Sequence, residues 1–387
     1  MGQQFALIIG PVPGESIGSC PATHGWNRAR DRTECAKKAE RHRMTKLLND
    51  HRIDPRIKAI FGEYGAPTAP DLLTREEVIA FMHTPEAQEA VAADADFFAA
   101  AVCEESAPSA GLVYETKTFI SQPDGNEIKI QYIRPEGTDV LPCVYYMHGG
   151  GMAYLSAFDP NYRGWGSIIA AQGVAVAMVD FRNSLLPSSA PEVAPFPAGL
   201  NDCVAGVKWV HAHAEELKID PARITLAGES GGGNLSLATA LKLNRDGDIG
   251  LINGVYSLCP FIAGQWPHPD HPSSHNNEGI FISIGNNRLT LAYGIEAFER
   301  QDPLAWPIFA SEADLKGLPQ TVISVNECDP LHDEGVAFYR KLLAAGVPAR
   351  CRSLIGTVHA VEILPRCAPD ISANTANDIA YLARTGR

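Results

Sequence analysis

Two serines of this chain sit in the pattern G-x-S-x-G: Ser16 in "GESIG" and Ser230 in "GESGGG". A serine in that pattern occupies a sharp turn with its hydroxyl presented to a base, so the chemistry implied is nucleophilic acyl transfer. The surroundings decide between the two. A nucleophile elbow needs a buried strand before the serine and a helix directly after it. "ARITLAG" precedes Ser230 and "GGGNLSLATALKL" follows it. Gly228, Gly231 and Gly232 allow the turn to close tightly. Ser16 follows "GPVPG" and meets Pro21 within five residues, so no helix opens there. Ser230 is the candidate nucleophile. The bland alternative is a small residue in a tight strand–helix turn.

Acyl transfer also needs oxyanion donors, a base and an orienting acid. "MHGGGM" ends an apolar strand, and its glycines leave backbone N–H groups open to a ligand. Gly149, Gly150 and Gly231 are the candidate donors. A phosphate cradle would want the Lys and Ser/Thr of a P-loop, which this stretch lacks. His148 reads as an orienter of the glycine loop. Five histidines follow Ser230. His268, His271 and His275 fall in "HPDHPSSH", whose prolines and lack of i, i+4 pairing suggest a solvated loop over a metal site. His332 opens a helix. His359, in "GTVHA", lies at the carboxyl end of the strand "ARCRSLIG", where a base can reach the sheet edge. Asp329 directly follows the strand "QTVISVNEC", with Glu327 as the weaker alternative. The order Ser, Asp, His is the one expected of a parallel-sheet hydrolase.

The elements that must position these residues are legible in the apolar periodicity. Strands "PCVYYMH", "GVAVAMVDF", "RITLAGES", "GVYSLCP", "QTVISVNECDP" and "ARCRSLIG" alternate with helical stretches. That alternation predicts an α/β fold with a mostly parallel central sheet flanked by helices. "TKTFISQ" and "EIKIQYIRP" flank Asp124-Gly125, a hairpin signal. Further upstream, "TREEVIAFM" and "PEAQEAVAADADFFAAAV" read as helices, the first opened by a capping box from Thr74 to Glu77. The expected layout is a poorly ordered extension over 1–43 and a helical cap contribution over 44–110. A catalytic domain over 111–387 follows, with the cap completed by an insertion near 262–300.

Composition narrows the class. The 387 residues are 45% apolar and carry a formal charge of -13. Phosphate binding wants a basic face, so a nucleic-acid partner is not expected. No apolar run approaches the ~20 residues of a bilayer span. The amino-terminal stretch has no Lys or Arg before its short apolar run and makes a poor signal peptide. Nine scattered cysteines form no C-x-x-C pair. They are expected to be reduced, largely buried thiols of a cytoplasmic protein.

Taken in order, "HGGG", "GESGGG", "DPLHDEG" and "GTVHA" resemble the hormone-sensitive-lipase-type carboxylesterases of the α/β-hydrolase superfamily. "MVDFRN", "FPAGLNDC", "DPLAWPIFASE" and "VNECDPLHDEG" place the resemblance nearest the bacterial brefeldin A esterase branch, over roughly residues 50–385. The wider family often has Asp at the Glu229 position and Ala at the Gly231 position; this chain follows the branch at both. The resemblance implies a triad of Ser230, Asp329 and His359 and an oxyanion hole of Gly149, Gly150 and Gly231. It also implies supporting roles for Glu229 and for Asp333 and Glu334 in the acid loop. The implied enzyme is a cofactor-free, metal-free serine esterase acting on small-molecule esters, short-chain or lactone-type, as a monomer or homodimer. The same triad could serve an amidase or lactonase. A non-catalytic ligand receptor on the same fold is the alternative of a different class, and the presence of His359 argues against it.

Overall fold

In the computed structural model, the alternating strands and helices form a single eight-stranded sheet. The structure describes residues 45–64, 66 and 68–386. The expected extension over 1–43, and Ser16 within it, lie outside the described residues. In spatial order the strands are β1 (Leu112–Ile120), β2 (Glu127–Pro135), β4 (Ala175–Val179), β3 (Leu141–Met147), β5 (Ile219–Glu229), β6 (Gly254–Leu258), β7 (Thr321–Asn326) and β8 (Ala349–Leu354). β1 and β2 form the hairpin around Asp124-Gly125, and β2 meets β4 antiparallel. Every pairing from β4 to β8 is parallel.

The sequence of the central strands explains their place. "AVAMV" of β4, "GVYSL" of β6 and "TVISVN" of β7 are buried at every position. Continuous burial replaces alternation when helices cover both faces of a sheet. Here the Pro160–Ala170 helix packs with Pro369–Thr385, and Ala198–Ala212 packs with Gly231–Asp246, and all four also pack on the strands. Parallel register brings the carboxyl ends of β5, β6, β7 and β8 level. Glu229 pairs with Leu258, Leu258 with Ser324, and Asn326 with Leu354. Open α/β sheets bind ligands at this edge.

Helices Pro55–Phe61, Arg75–Met82 and Pro85–Ala100 each begin at a side-chain cap, from Asp54, Thr74 and Thr84 respectively. The capping box expected at Thr74 is only half formed. Thr74 accepts from the Glu77 N–H at 3.2 Å, but the Glu77 carboxylate accepts from Leu73 N–H, one residue before the cap. These helices meet the segment that follows β6. Phe61, Tyr64 and Phe97 pack with Phe281 in an aromatic cluster. Leu72 and Asn287 exchange two hydrogen bonds of 3.0 and 2.8 Å. All seven described cysteines are free thiols, five of them buried. No described helix is long and apolar enough to cross a membrane.

Candidate active site

Ser230 leaves the carboxyl end of β5 and immediately heads the Gly231–Asp246 helix. Its φ of 56° and ψ of -118° lie where an L-residue is strained. Three backbone bonds hold it there. Ser230 N–H donates to Leu258 O at 3.0 Å, and Ser230 O accepts from Asn234 N–H at 3.0 Å and Phe261 N–H at 3.1 Å. The turn presses so close to β3 that a Cβ on Gly232 would lie 2.0 Å from Met147 O.

His359 and Asp329 come from the loops after β8 and β7 and meet beside Ser230. His359 Nδ1 lies 2.7 Å from Asp329 Oδ2, with Asp329 fully buried. Asp329 Oδ1 accepts from Leu331 N–H at 2.9 Å, which fixes the carboxylate. Burial works to lower the His359 pKa. The charge and hydrogen bond of Asp329, then the charges of Glu362 and Glu229, outweigh it and leave the ring above its ordinary 6.5. Glu327 is occupied elsewhere, accepting from Gly356 N–H at 2.7 Å in the turn that leads to His359. His332 is turned onto Asp333, 2.9 Å away.

The "HPDHPSSH" segment departs from the expected solvated loop. His271, Ser273 and Ser274 are buried. Ser273 Oγ donates to Pro330 O at 3.0 Å, and Ser273 N–H donates to Asp333 Oδ2 at 2.7 Å. Just beyond, Asn277 Nδ2 donates to the carbonyls of Glu327 and Asp329, both at 3.0 Å. The prolines shape this segment into a clasp on the acid loop, which the lack of helical spacing in the sequence could not show. Asp333 is therefore part of that clasp. Glu334 faces the other way. It accepts from Ile262 N–H at 2.7 Å, Ala263 N–H at 3.1 Å and Trp266 Nε1 at 2.6 Å, and burial pushes its pKa up to about 8.

Among the candidate oxyanion donors, Gly149 needs correction. Its N–H is already taken by Glu229 Oε1 at 2.6 Å and approaches Tyr162 Oη at 2.9 Å. A donor committed to a buried carboxylate is not available to a substrate. The N–H groups of Gly150, Gly151 and Gly231 donate to no other described group. Gly151 lies against the Ser230 turn, since a Cβ on Gly231 would fall 2.7 Å from Gly151 N. The geometry thus replaces Gly149 by Gly151. Glu229 also accepts from Tyr162 Oη at 2.7 Å and from Tyr146 Oη. Burial pushes its pKa up to about 7, against these hydrogen bonds. His148 stacks on Phe181 at 4.2 Å with Nδ1 3.0 Å from Gly149 O, a placement that braces the loop and leaves it no part as a base.

Ser230, His359, Gly149, Gly150 and Gly151 line a cavity whose empty space, open solvent included, is about 670 Å³. Its walls include Phe98, Tyr154, Leu155, Phe261, Phe281, Ile282, Ile284, Leu289 and Ile363, and no described Lys or Arg lines it. Phe98, Phe281, Tyr146, Tyr162 and Asn277 escaped the sequence reading. Each acts across a long stretch of chain, and nothing in its local spacing marks it.

A family profile described as alpha/beta hydrolase fold matches residues 144–363. Carboxylesterase NlhH of Mycobacterium tuberculosis is 33% identical over 259 residues, 65% of this chain and 76% of its own. An arylesterase of Saccharolobus solfataricus is 34% identical over 270 residues, 67% of this chain and 81% of its own. Among solved structures, esterase Est22 is similar with a TM-score of 0.86 and 57% identity, over 88% of this chain and 100% of its own. Brefeldin A esterase, described as a bacterial homologue of human hormone sensitive lipase, is similar with a TM-score of 0.76 and 37% identity, over 87% of this chain and 94% of its own.

Proposed function

The chain belongs to the α/β-hydrolase family, among the carboxylesterases of hormone-sensitive-lipase type, and we propose that it hydrolyses short-chain or lactone-type carboxylic esters through an acyl-enzyme on Ser230. The observation that carries this reading is the convergence, in one apolar cavity, of an elbow serine, a histidine bonded to a buried aspartate, and unspent backbone donors.

In this reading His359 takes the Ser230 proton as the hydroxyl attacks the ester carbonyl. Asp329 holds the proton on Nδ1, which keeps Nε2 free to accept, and then stabilises the imidazolium. The carbonyl oxygen becomes negative within reach of Gly150, Gly151 and Gly231, each donor contributing about 3 kcal/mol where such donors have been removed. His359 then protonates the leaving alcohol, and water, deprotonated by the same ring, releases the acid. Nothing in these steps calls on a metal or cofactor. Glu229 acts one layer back, anchoring Gly149 so that the next two amides face the serine.

The lining supports the substrate class. An apolar cavity with no cationic side chain among its described lining residues favours neutral acyl groups over carboxylate-bearing ones. Phe98, from the Pro85–Ala100 helix, and Phe281, from the segment after β6, wall the cavity, so residues 44–110 and an insertion near 262–300 act as a cap on the 111–387 hydrolase. Esterase Est22 has been solved with p-nitrophenol, which supports an aryl alcohol as a guest here. The free thiols of the described cysteines are in keeping with a cytoplasmic protein.

The test is hydrolysis of a p-nitrophenyl acyl series by wild type, Phe98→Ala and Phe281→Ala, together with intact-mass analysis after a phosphonate ester inhibitor. We expect short chains to lead in wild type, longer chains to gain in the variants, and a single adduct on Ser230. An adduct elsewhere would refute the assignment of the nucleophile.

A further inference from the structure

Beside the catalytic groups stands a residue that the mechanism does not use. Cys259 follows β6 directly, and its N–H donates to Ser324 O at 2.7 Å. Its Sγ, a carboxylate oxygen of Asp329 and a ring nitrogen of His359 all lie within 4.8 Å of one another, and all three residues are buried. No other trio of His, Cys, Asp or Glu among the described residues is as close.

We propose that Cys259, Asp329 and His359 form an inhibitory site for a thiophilic divalent cation such as Zn²⁺, and that its occupation removes the base. Thiolate, imidazole and carboxylate are the donor types that tetrahedral Zn²⁺ accepts, with water as fourth ligand. Bonds of about 2.0–2.3 Å place tetrahedral neighbours about 3.3–3.8 Å apart. To reach that spacing the His359–Asp329 pair, 2.7 Å apart, must open, and a sulfur contact near the 4.8 Å limit must close by about 1 Å. The way in runs past His359, which lines a cavity with no described Lys or Arg on its wall.

The proton balance explains the inhibition. The Cys259 thiol gives its proton to solvent and its sulfur pair to the cation. Asp329 contributes its carboxylate, so the two negative ligands match the 2+ charge. The nitrogen facing Asp329 is Nδ1. When its lone pair goes to the metal, the ring proton must sit on Nε2. That tautomer has no free pair toward Ser230 and cannot take its proton. One proton is released overall, and nothing is oxidised or reduced.

The inhibitory half rests on the reading of His359 as the base, and the test separates the two. Co²⁺ replaces Zn²⁺ as a probe because a cobalt–thiolate bond absorbs in the near ultraviolet. Full-length wild type and Cys259→Ser are titrated with Co²⁺ and followed by difference spectrum, and Zn²⁺ inhibition of ester hydrolysis is measured on both, with Cys259→Ala as a second variant. We expect one thiolate band per chain that is present in wild type and absent in both variants. We also expect the Zn²⁺ concentration for half-inhibition to rise by at least ~10-fold in the variants, since even outer-shell changes at metal sites cost 10–100-fold. No band, or a band of equal strength in Cys259→Ser, would overturn the site. A Cys259-dependent band with full activity would uphold the site and remove His359 as the base.

Discussion

Glu229 offers the sharpest test of how the oxyanion loop is held. Its carboxyl accepts from Gly149 N–H, Tyr162 Oη and Tyr146 Oη, and all four residues are buried or nearly so. Glu229→Ala removes the acceptor and strands two hydroxyl donors, while Gly149 N–H keeps Tyr162 Oη at 2.9 Å. A buried donor without a partner costs about 1–3 kcal/mol, so a stability loss of roughly 2–6 kcal/mol is expected, less what the two hydroxyls recover by rotation. The same change frees Gly149 from the carboxyl and lets Gly150 and Gly151 drift. Loss of one oxyanion donor lowers kcat about 10²–10³-fold. Glu229→Gln is different. Its carbonyl can still accept from Gly149 and Tyr162, and its amide can donate to the Tyr146 hydroxyl, so fold and most of kcat should survive. The pH dependence separates charge from shape. The folded pKa of Glu229 is raised to about 7, so its stabilising contribution is full below the unfolded pKa of about 4.3 and is lost as pH rises through about 7. At 1.36 kcal/mol per unit the loss amounts to about 4 kcal/mol. Urea unfolding of wild type and Glu229→Gln from pH 4.5 to 8, with kcat on p-nitrophenyl acetate for both and for Glu229→Ala, reads all three effects. The variant should lack this component of the wild-type pH slope. If Glu229→Ala kept wild-type kcat while losing stability, the carboxyl would be a structural plug without influence on the oxyanion loop.

Three further outcomes are expected. Ser230→Ala abolishes ester hydrolysis while Ser16→Ala leaves it intact, as measured by initial rates on the same short ester. Asp329→Asn lowers kcat by orders of magnitude with an unchanged circular dichroism spectrum, because the wrong tautomer of His359 is then favoured; Asp333→Asn, which only loosens the clasp on the acid loop, has a milder effect, and the reverse ranking would mean the acid is misassigned. The rate falls as pH drops through a His359 pKa above 6.5, since the protonated ring cannot accept a proton. Glu362→Gln shifts that acid limb to lower pH by removing one of the charges that raise it, and an unmoved limb in kcat/KM would refute the coupling.

How much of this was legible in the sequence follows from the range of each signal. Ser230 could be picked over Ser16 because an elbow is local: a strand, a turn and a helix are contiguous in the chain. The parallel sheet was legible for the same reason, since fully buried strands such as "AVAMV" write their burial into an unbroken apolar run. The capping box at Thr74 misled because spacing shows that Glu77 can reach back but not that Leu73 offers a better placed N–H. Gly149 misled in a related way. Three consecutive glycines offer three equivalent amides, and only the fold, by bringing Glu229 to one of them from 80 positions away, spends it. His271 looked solvated because prolines and polar residues dominate its segment, whereas its neighbour Ser273 is bonded to Asp333 on the acid loop some 60 residues on. Long-range hydrogen bonding leaves no periodic trace.

The backbone of Ser230 has a consequence for how such a protein ages in evolution. A φ of 56° with ψ of -118° is a conformation that glycine reaches freely and serine holds at a cost of about 1–3 kcal/mol. The surrounding strand, helix and three backbone bonds enforce it whether or not a hydroxyl is present. Replacement by glycine would therefore relieve strain. Under the role proposed for Ser230, the inactive variant would be the more stable one, and turnover would oppose the fold's own preference at this one position.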